Sequence, residues 1–451
     1  MPALGTDTLF KVPEIKSFKL DNGLDVFVVQ RTDLPKVSVR LTSKVGSIAD
    51  PVGKEGLADL TLELLKRGTK SKNAIQIEEA LNDLGTSIRV SADREKSELS
   101  LEVLKENLGV SLAVLADIVQ NPSLPDAEIA QLKNQRISEL AQEDQDAFGV
   151  AYRLAQSIIV GLDHPYGKAA RGFQTTITNL TNDDFTRFHK TAWTPRASAL
   201  ILAGDISLAD AVAVAKQSFN AWSGSERDTI KVPPPRPMTS GRVFLVDRPD
   251  APQTVIELIL LGPPRKTPDY YAFELVDAIW GGTFSSRLNL NLREDKGYSY
   301  SVSSSPRYFS TFSVWDAYAG VQTDKTKESV LEFVKEFKQL SGEKPITAEE
   351  LAAAKANRIR GYAQRFDSLS KITDQIARLW VLNMPLSELQ QYTTGIEKVT
   401  LTEVNSAARK YVQPSAASLL LVGDLAKLNS EIRALNLGKV VILGSDGKTI
   451  N

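Results

Sequence analysis

Two carboxylates four residues apart, Asp59 and Glu63, sit in the stretch Glu55-Gly56-Leu57-Ala58-Asp59-Leu60-Thr61-Leu62-Glu63-Leu64-Leu65. Apolar residues at helical spacing make this stretch a helix, and positions i and i+4 then share one face. Acidic side chains in such an array suit a hard cation such as Mg²⁺, Ca²⁺ or Mn²⁺ better than zinc. The plainer reading is two solvated or salt-bridged helix charges. Histidine chemistry is sharply limited, because the chain holds only His164 and His189. They lie 25 residues apart, so no helical two-histidine zinc site can be built. His164, in Asp163-His164-Pro165-Tyr166, reads as a structural turn residue, and His189, after Phe185 and Phe188, as helix surface or packing. With no cysteine, disulfides, thiolate metal sites and thiol nucleophiles are excluded. The serines at 299, 301 and 303–305 have no expected histidine base, and Gly281-Gly282 lacks nucleotide-loop spacing.

The elements around these residues follow from composition and repetition. The 451 residues exceed one ordinary core, with 42% hydrophobic and 24% charged residues, as expected of a globular chain. A formal net charge of −1 implies neither a nucleic-acid nor an anionic-membrane partner. No apolar run is long enough to span a bilayer, and residues 1–20 lack a signal core, so the expected chain is cytosolic or a mature exported form.

The sequence repeats itself. Val26-Phe27-Val28-Val29 matches Val243-Phe244-Leu245-Val246, 217 residues on. Glu128, Lys133, Arg136 and Ile137 match Glu350, Lys355, Arg358 and Ile359, 222 on. Leu200 to Asp205 matches Leu419 to Asp424, 219 on. Three matches in order at nearly constant offset indicate one duplication of a domain-sized unit. A proline-rich segment, 223–241, containing Pro233-Pro234-Pro235, divides an N-terminal half (1–222) from a C-terminal half (242–451). Each half reads as α+β, an antiparallel sheet packed with helices. Strands are expected at 25–30, 37–43, 87–91 and 99–103, and helices at 57–66, 74–84, 108–119 and 126–144. Thr347 and Glu350 form a capping-box pattern opening another helix.

These segments resemble the pitrilysin and mitochondrial processing peptidase family of inverzincin metallopeptidases. The matching stretches are Leu20-Asp21-Asn22-Gly23-Leu24, Gly46-Ser47 through Asp50-Pro51, Gly56 to Thr69, and His164-Pro165-Tyr166-Gly167. The C-terminal half adds Gly281-Gly282-Thr283-Phe284-Ser285-Ser286-Arg287-Leu288 and Leu292-Arg293-Glu294-Asp295-Lys296-Gly297-Tyr298-Ser299-Tyr300. The family's H-x-x-E-H motif would place histidines at 59 and 63 and the water-activating glutamate at 62. This chain has Asp59, Leu62 and Glu63 there. Glu139, 76 residues after position 63, resembles the family's third-ligand position. The resemblance thus implies a degenerate zinc motif, with Asp59, Glu63 and Glu139 as the remaining candidates for a hard cation.

The resemblance further implies a clamshell, with peptide lying between a zinc-bearing half and a half that carries an Arg/Tyr pair. The family pattern places that pair at Arg293 and Tyr300, donors that can hold a peptide carbonyl and stabilise oxyanion charge. Arg293 could instead pair with Glu294 or Asp295, and Tyr300 could be a sheet aromatic, with Tyr298 as a competitor. The implied function is a non-catalytic, substrate-binding subunit of a heterodimeric zinc metallopeptidase. It would be inactive alone and lack a cofactor of its own, the zinc being held by a homologous partner. The expected location is the bacterial periplasm, with the cytoplasm as the alternative. Two other functions compete with it. One is a structural or assembly protein like the respiratory-chain core proteins, and the other is an enzyme using the carboxylate cluster.

Overall fold

The structure, a computed structural model, describes residues 10–224, 230, 232–236 and 241–450. The linker positions 225–229, 231 and 237–240 lie outside the described residues.

Two six-stranded sheets form the frame. The first contains β1 (Lys16–Lys19), β2 (Asp25–Gln30), β3 (Lys36–Ser43), β4 (Arg89–Ala92), β5 (Ser97–Leu104) and β6 (Ser198–Gly204), in the order β1-β2-β6-β3-β5-β4. The second contains β7 (Arg242–Asp247), β8 (Gln253–Gly262), β9 (Ser299–Tyr308), β10 (Ser313–Gln322), β11 (Ser418–Gly423) and β12 (Lys439–Leu443), in the order β12-β7-β11-β8-β10-β9. The duplication is therefore topological as well as sequential. Register confirms the offsets: Val26 pairs with Leu200, and Val243 pairs with Leu419. Only the outer edge differs, since β1 enters from the N-terminus and runs antiparallel to β2, whereas β12 arrives from the C-terminus and runs parallel to β7.

The sheets correct one expectation. They are mixed rather than antiparallel throughout, because β2 pairs parallel with β6 and β7 parallel with β11. The long excursion of helices between these strands permits the parallel return, which a hairpin cannot make. The expected strands and helices fall within a residue or two of their observed ends. The helix Leu57–Leu65 runs as expected, and Thr347 closes its capping box with Glu350 at the start of Ala348–Arg360.

The halves exchange a helix. Ala147–Val160 packs on β8 and β11 of the second sheet, burying Val150, Leu154 and Ile158 against Val255, Ile259 and Leu420. Leu369–Val381 packs on the equivalent strands β3 and β6 of the first sheet. There Trp380 donates its indole N–H to Asp25 (3.0 Å), and the Lys44 ammonium stacks on its ring. Each half thus completes the other's sheet face, which ties the two into one body. Among the described residues no helix is long and apolar enough to cross a membrane.

Candidate functional site

The helix Leu57–Leu65 starts where the backbone demands glycine. Gly56 has φ of 94°, and a Cβ there would lie 2.8 Å from the Arg171 carbonyl oxygen. Asp50 caps the free helix end, accepting from the N–H groups of Gly56 and Ala58 at 2.9 Å each. Burial still pushes its carboxyl well above the usual range against those bonds. The Gly-Leu-Ala frame is therefore retained for structural reasons.

The face that would hold metal is closed by arginine. Asp59 accepts directly from Arg136, whose guanidinium is 5% exposed and also reaches Glu139 at 3.1 Å. Arg171 binds the same Glu139 oxygen at 2.6 Å and pairs with Glu143. Burial opposes ionisation of Glu139, yet the Gln135 hydrogen bond and the charges of Arg136 and Arg171 outweigh it and hold the carboxyl below its ordinary value. Glu63 points elsewhere and pairs with Lys66 at 3.3 Å. Leu62, 1% exposed, is packed into the first-half core. This donor set does not fit zinc, having no imidazole, no base at 62 and a fixed cation between its two nearest carboxylates. Among the described residues no cluster of histidine, cysteine and carboxylate side chains is arranged to hold a metal.

The second half brings Arg293 and Tyr300 together. Arg293 lies on a wide π-type turn, Leu290–Asp295, and Tyr300 is the second residue of β9, the edge strand of its sheet. Asn289 fixes one against the other. Its amide donates to the Val302 carbonyl (2.6 Å) and accepts from the Val302 N–H (3.2 Å). The Arg293 guanidinium lies 5.0 Å from the Tyr300 ring centroid and 4.6 Å from that of Phe284. Tyr300 is 84% exposed and Phe284 63%. Arg293 also pairs with Glu294 at 3.3 Å, the local contact that the sequence offered as its bland role. Tyr298 turns towards the core instead. The loop before this site is anchored by Arg287, which is buried and binds Glu350 through two contacts of 2.7 Å.

No site role was expected of Phe284, Arg136 or Arg171 from the sequence. Arg136 was detectable, since it stands three residues before Glu139 on one helix. The histidines are structural in geometry. His164 Nε2 meets the Pro233 carbonyl at 2.9 Å, joining the linker to the first half, and His189 Nε2 meets that of Val119 at 2.8 Å.

Residues 26–155 match the family described as insulinase (peptidase family M16), and residues 179–358 match the peptidase M16 inactive domain. An uncharacterized zinc protease of Rickettsia bellii is 25% identical over 404 residues, covering 89% of this chain and 96% of its own length. The non-peptidase homolog YmxG of Helicobacter pylori is 22% identical over 401 residues, covering 87% and 90%. Among solved structures, the peptidase M16 inactive domain from Pseudomonas fluorescens superposes with a TM-score of 0.85 at 24% identity, covering 91% of this chain and 98% of that one. A chain of complex III2 from Candida albicans does so with a TM-score of 0.78 at 18% identity, covering 94% and 99%. The duplicated halves, the retained frame around residues 50–69 and these matches agree, and the chain belongs to the pitrilysin family of peptidases, M16.

Proposed function

We propose that this chain is the substrate-binding, non-catalytic subunit of a heterodimeric zinc peptidase. In this reading Arg293 and Tyr300 hold the peptide, and a homologous partner supplies the zinc and the general base, with the bacterial periplasm as the setting. One observation carries the reading: Asp59 and Glu139, two of the chain's would-be metal carboxylates, are consumed by Arg136 and Arg171, while Arg293 and Tyr300 are held side by side and open to solvent. A guanidinium edge and a phenol hydroxyl suit a peptide carbonyl whose oxygen gains charge in the transition state. The chain alone is expected to leave peptides intact and the mixture with its partner to cleave them. Arg293→Ala in that mixture should lower kcat/KM by about 2.7–4 kcal/mol, the usual cost of one oxyanion donor. A mutant complex as fast as wild type refutes the assignment.

A second reading, an assembly protein without a peptidase role, is favoured by the likeness to a chain of complex III2 and to a relative named as a non-peptidase homolog. Recovery of the native chain in a stable membrane complex, with no peptidase partner in the preparation, would select it.

A further inference from the structure

A cavity of about 960 Å³ opens along the seam between the halves. The turn between β4 and β5, the end of β9 and the exchanged helix Ala147–Val160 wall one end of it. Neither Arg293 nor Tyr300 lines it.

Its hydrogen-bonding groups do not balance. Arg94 donates its Nε–H to the Tyr166 carbonyl (3.0 Å), and among the described residues no carboxylate lies within ion-pair distance of its guanidinium. The carboxylates flanking Arg94 are already engaged. Asp93 accepts from the N–H groups of Glu95 and Lys96, and Glu95 accepts from the Tyr166 hydroxyl (2.5 Å) and the Ser310 N–H (3.0 Å). A second guanidinium, Arg307, enters from β9 and keeps its Nε–H free, although it pairs with Asp316 at 3.2 Å. From the exchanged helix Gln156, 1% exposed, lines the cavity with an amide nitrogen that has no partner. Burial, and then repulsion from Arg307, pull Arg94 down to about 10, the direction expected of a cation without a counter-charge. Natural interiors rarely leave such donors unmet, since each costs a desolvation penalty.

We propose that this cavity is a second ligand site, which binds an oxyanion between Arg94, Arg307 and Gln156. Two sources share that chemistry, a peptide's terminal carboxylate and a free phosphate. The site belongs to this chain alone and stands whether or not the partner reading holds.

The test uses the unmodified protein and an arginine-selective reagent, phenylglyoxal, with the rate at each arginine read by mass spectrometry. The probes are inorganic phosphate, tetra-alanine with a free C-terminus, and its C-terminal amide. A probe at a few times its Kd should slow modification of Arg94 by about fivefold and leave the exposed Arg89 and Arg242 unchanged. Protection by phosphate assigns the site to phosphate, and protection by the free acid but not the amide assigns it to a peptide terminus. No protection by either anion, or equal protection by the amide, overturns the proposal. As a second reading, Arg94→Gln should abolish the rise in Tm that the protective probe gives wild type, and a rise of equal size in the folded variant counts against the site.

Discussion

The two halves share a topology and treat their charges oppositely. In the first, the groups that suggested chemistry are neutralised: Asp59 and Glu139 are bound by Arg136 and Arg171, and Glu63 pairs with Lys66. In the second, the Arg293 guanidinium lies against two exposed rings, and among the described residues its ion pair is with a surface glutamate, Glu294. A duplicated fold can thus convert one site into internal glue and leave the other open, because the helices and sheets that position both are unchanged.

The strongest test of that contrast is Arg136→Ala. It strands Asp59 in a partly buried pocket and leaves Glu139 to Arg171 and Gln135, and breaking a buried ionic pair from one side costs about 3–5 kcal/mol. Denaturant unfolding should show this loss, whereas Arg293→Ala should stay within about 0.5 kcal/mol of wild type, as surface changes do. A mild Arg136→Ala variant would mean that the arginine is not what holds the old metal face together.

The exchanged helices sharpen the comparison at equivalent positions. Arg40 and Glu257 occupy matching places on β3 and β8, opposite Ile201 and Leu420, and Glu98 and Asp316 match on β5 and β10. In the first half Arg40 pairs with Glu98 at 2.9 Å and donates to Thr373 of the incoming helix at 3.2 Å. In the second half two acids face each other and one cation, Arg307, serves both. Burial and then the Asp316 charge push Glu257 well above the usual range, which favours its protonated form. Glu98→Gln should therefore cost about 2–3 kcal/mol, since it leaves a charged buried donor poorly met, and Glu257→Gln less than about 1 kcal/mol. Equal costs from matched unfolding curves would show that the halves are balanced after all.

Asp277 supplies a pH-dependent version. It accepts from Ser304 (2.7 Å) and Trp315 (2.9 Å) and pairs with Arg358 (3.0 Å). Burial nevertheless outweighs these and raises its carboxyl to about 7. A raised acid binds more protons folded than unfolded, so its contribution to stability falls as pH rises from the unfolded value near 4 through 7. Wild type should lose roughly 2 kcal/mol relative to Asp277→Asn between pH 5 and pH 7. Parallel stability profiles for the two proteins would rule out a raised Asp277.

Much of this was legible in sequence, and the failures have physical causes. The duplication predicted the paired sheets because an apolar strand motif such as Val26–Val29 recurs with its register intact. The Arg293/Tyr300 pair was named through the family pattern alone, and the fold brings the two side chains together. The parallel β2/β6 pairing was not, since those strands are separated by most of the half and local periodicity carries no direction. Phe284 was missed because an aromatic in a glycine loop gives no sign, by itself, of which cation it covers. The exchange of helices is a long-range choice between two equivalent sheet faces, which amphipathic pattern alone cannot make.

The smallest expected change in stability is the most discriminating in function. Tyr300→Phe keeps the ring that covers Arg293 and removes only the hydroxyl from a side chain that is 84% exposed. Its unfolding free energy should match wild type within about 0.5 kcal/mol. If the hydroxyl holds a peptide carbonyl, kcat/KM of the mixed complex should fall while Arg293 stays in place. Tyr300→Ala, which also uncovers the guanidinium, should then fall further. Identical rates for all three proteins would leave the ring as nothing more than a lid on Arg293 and would shift the weight to the assembly reading, in which neither side chain meets a substrate.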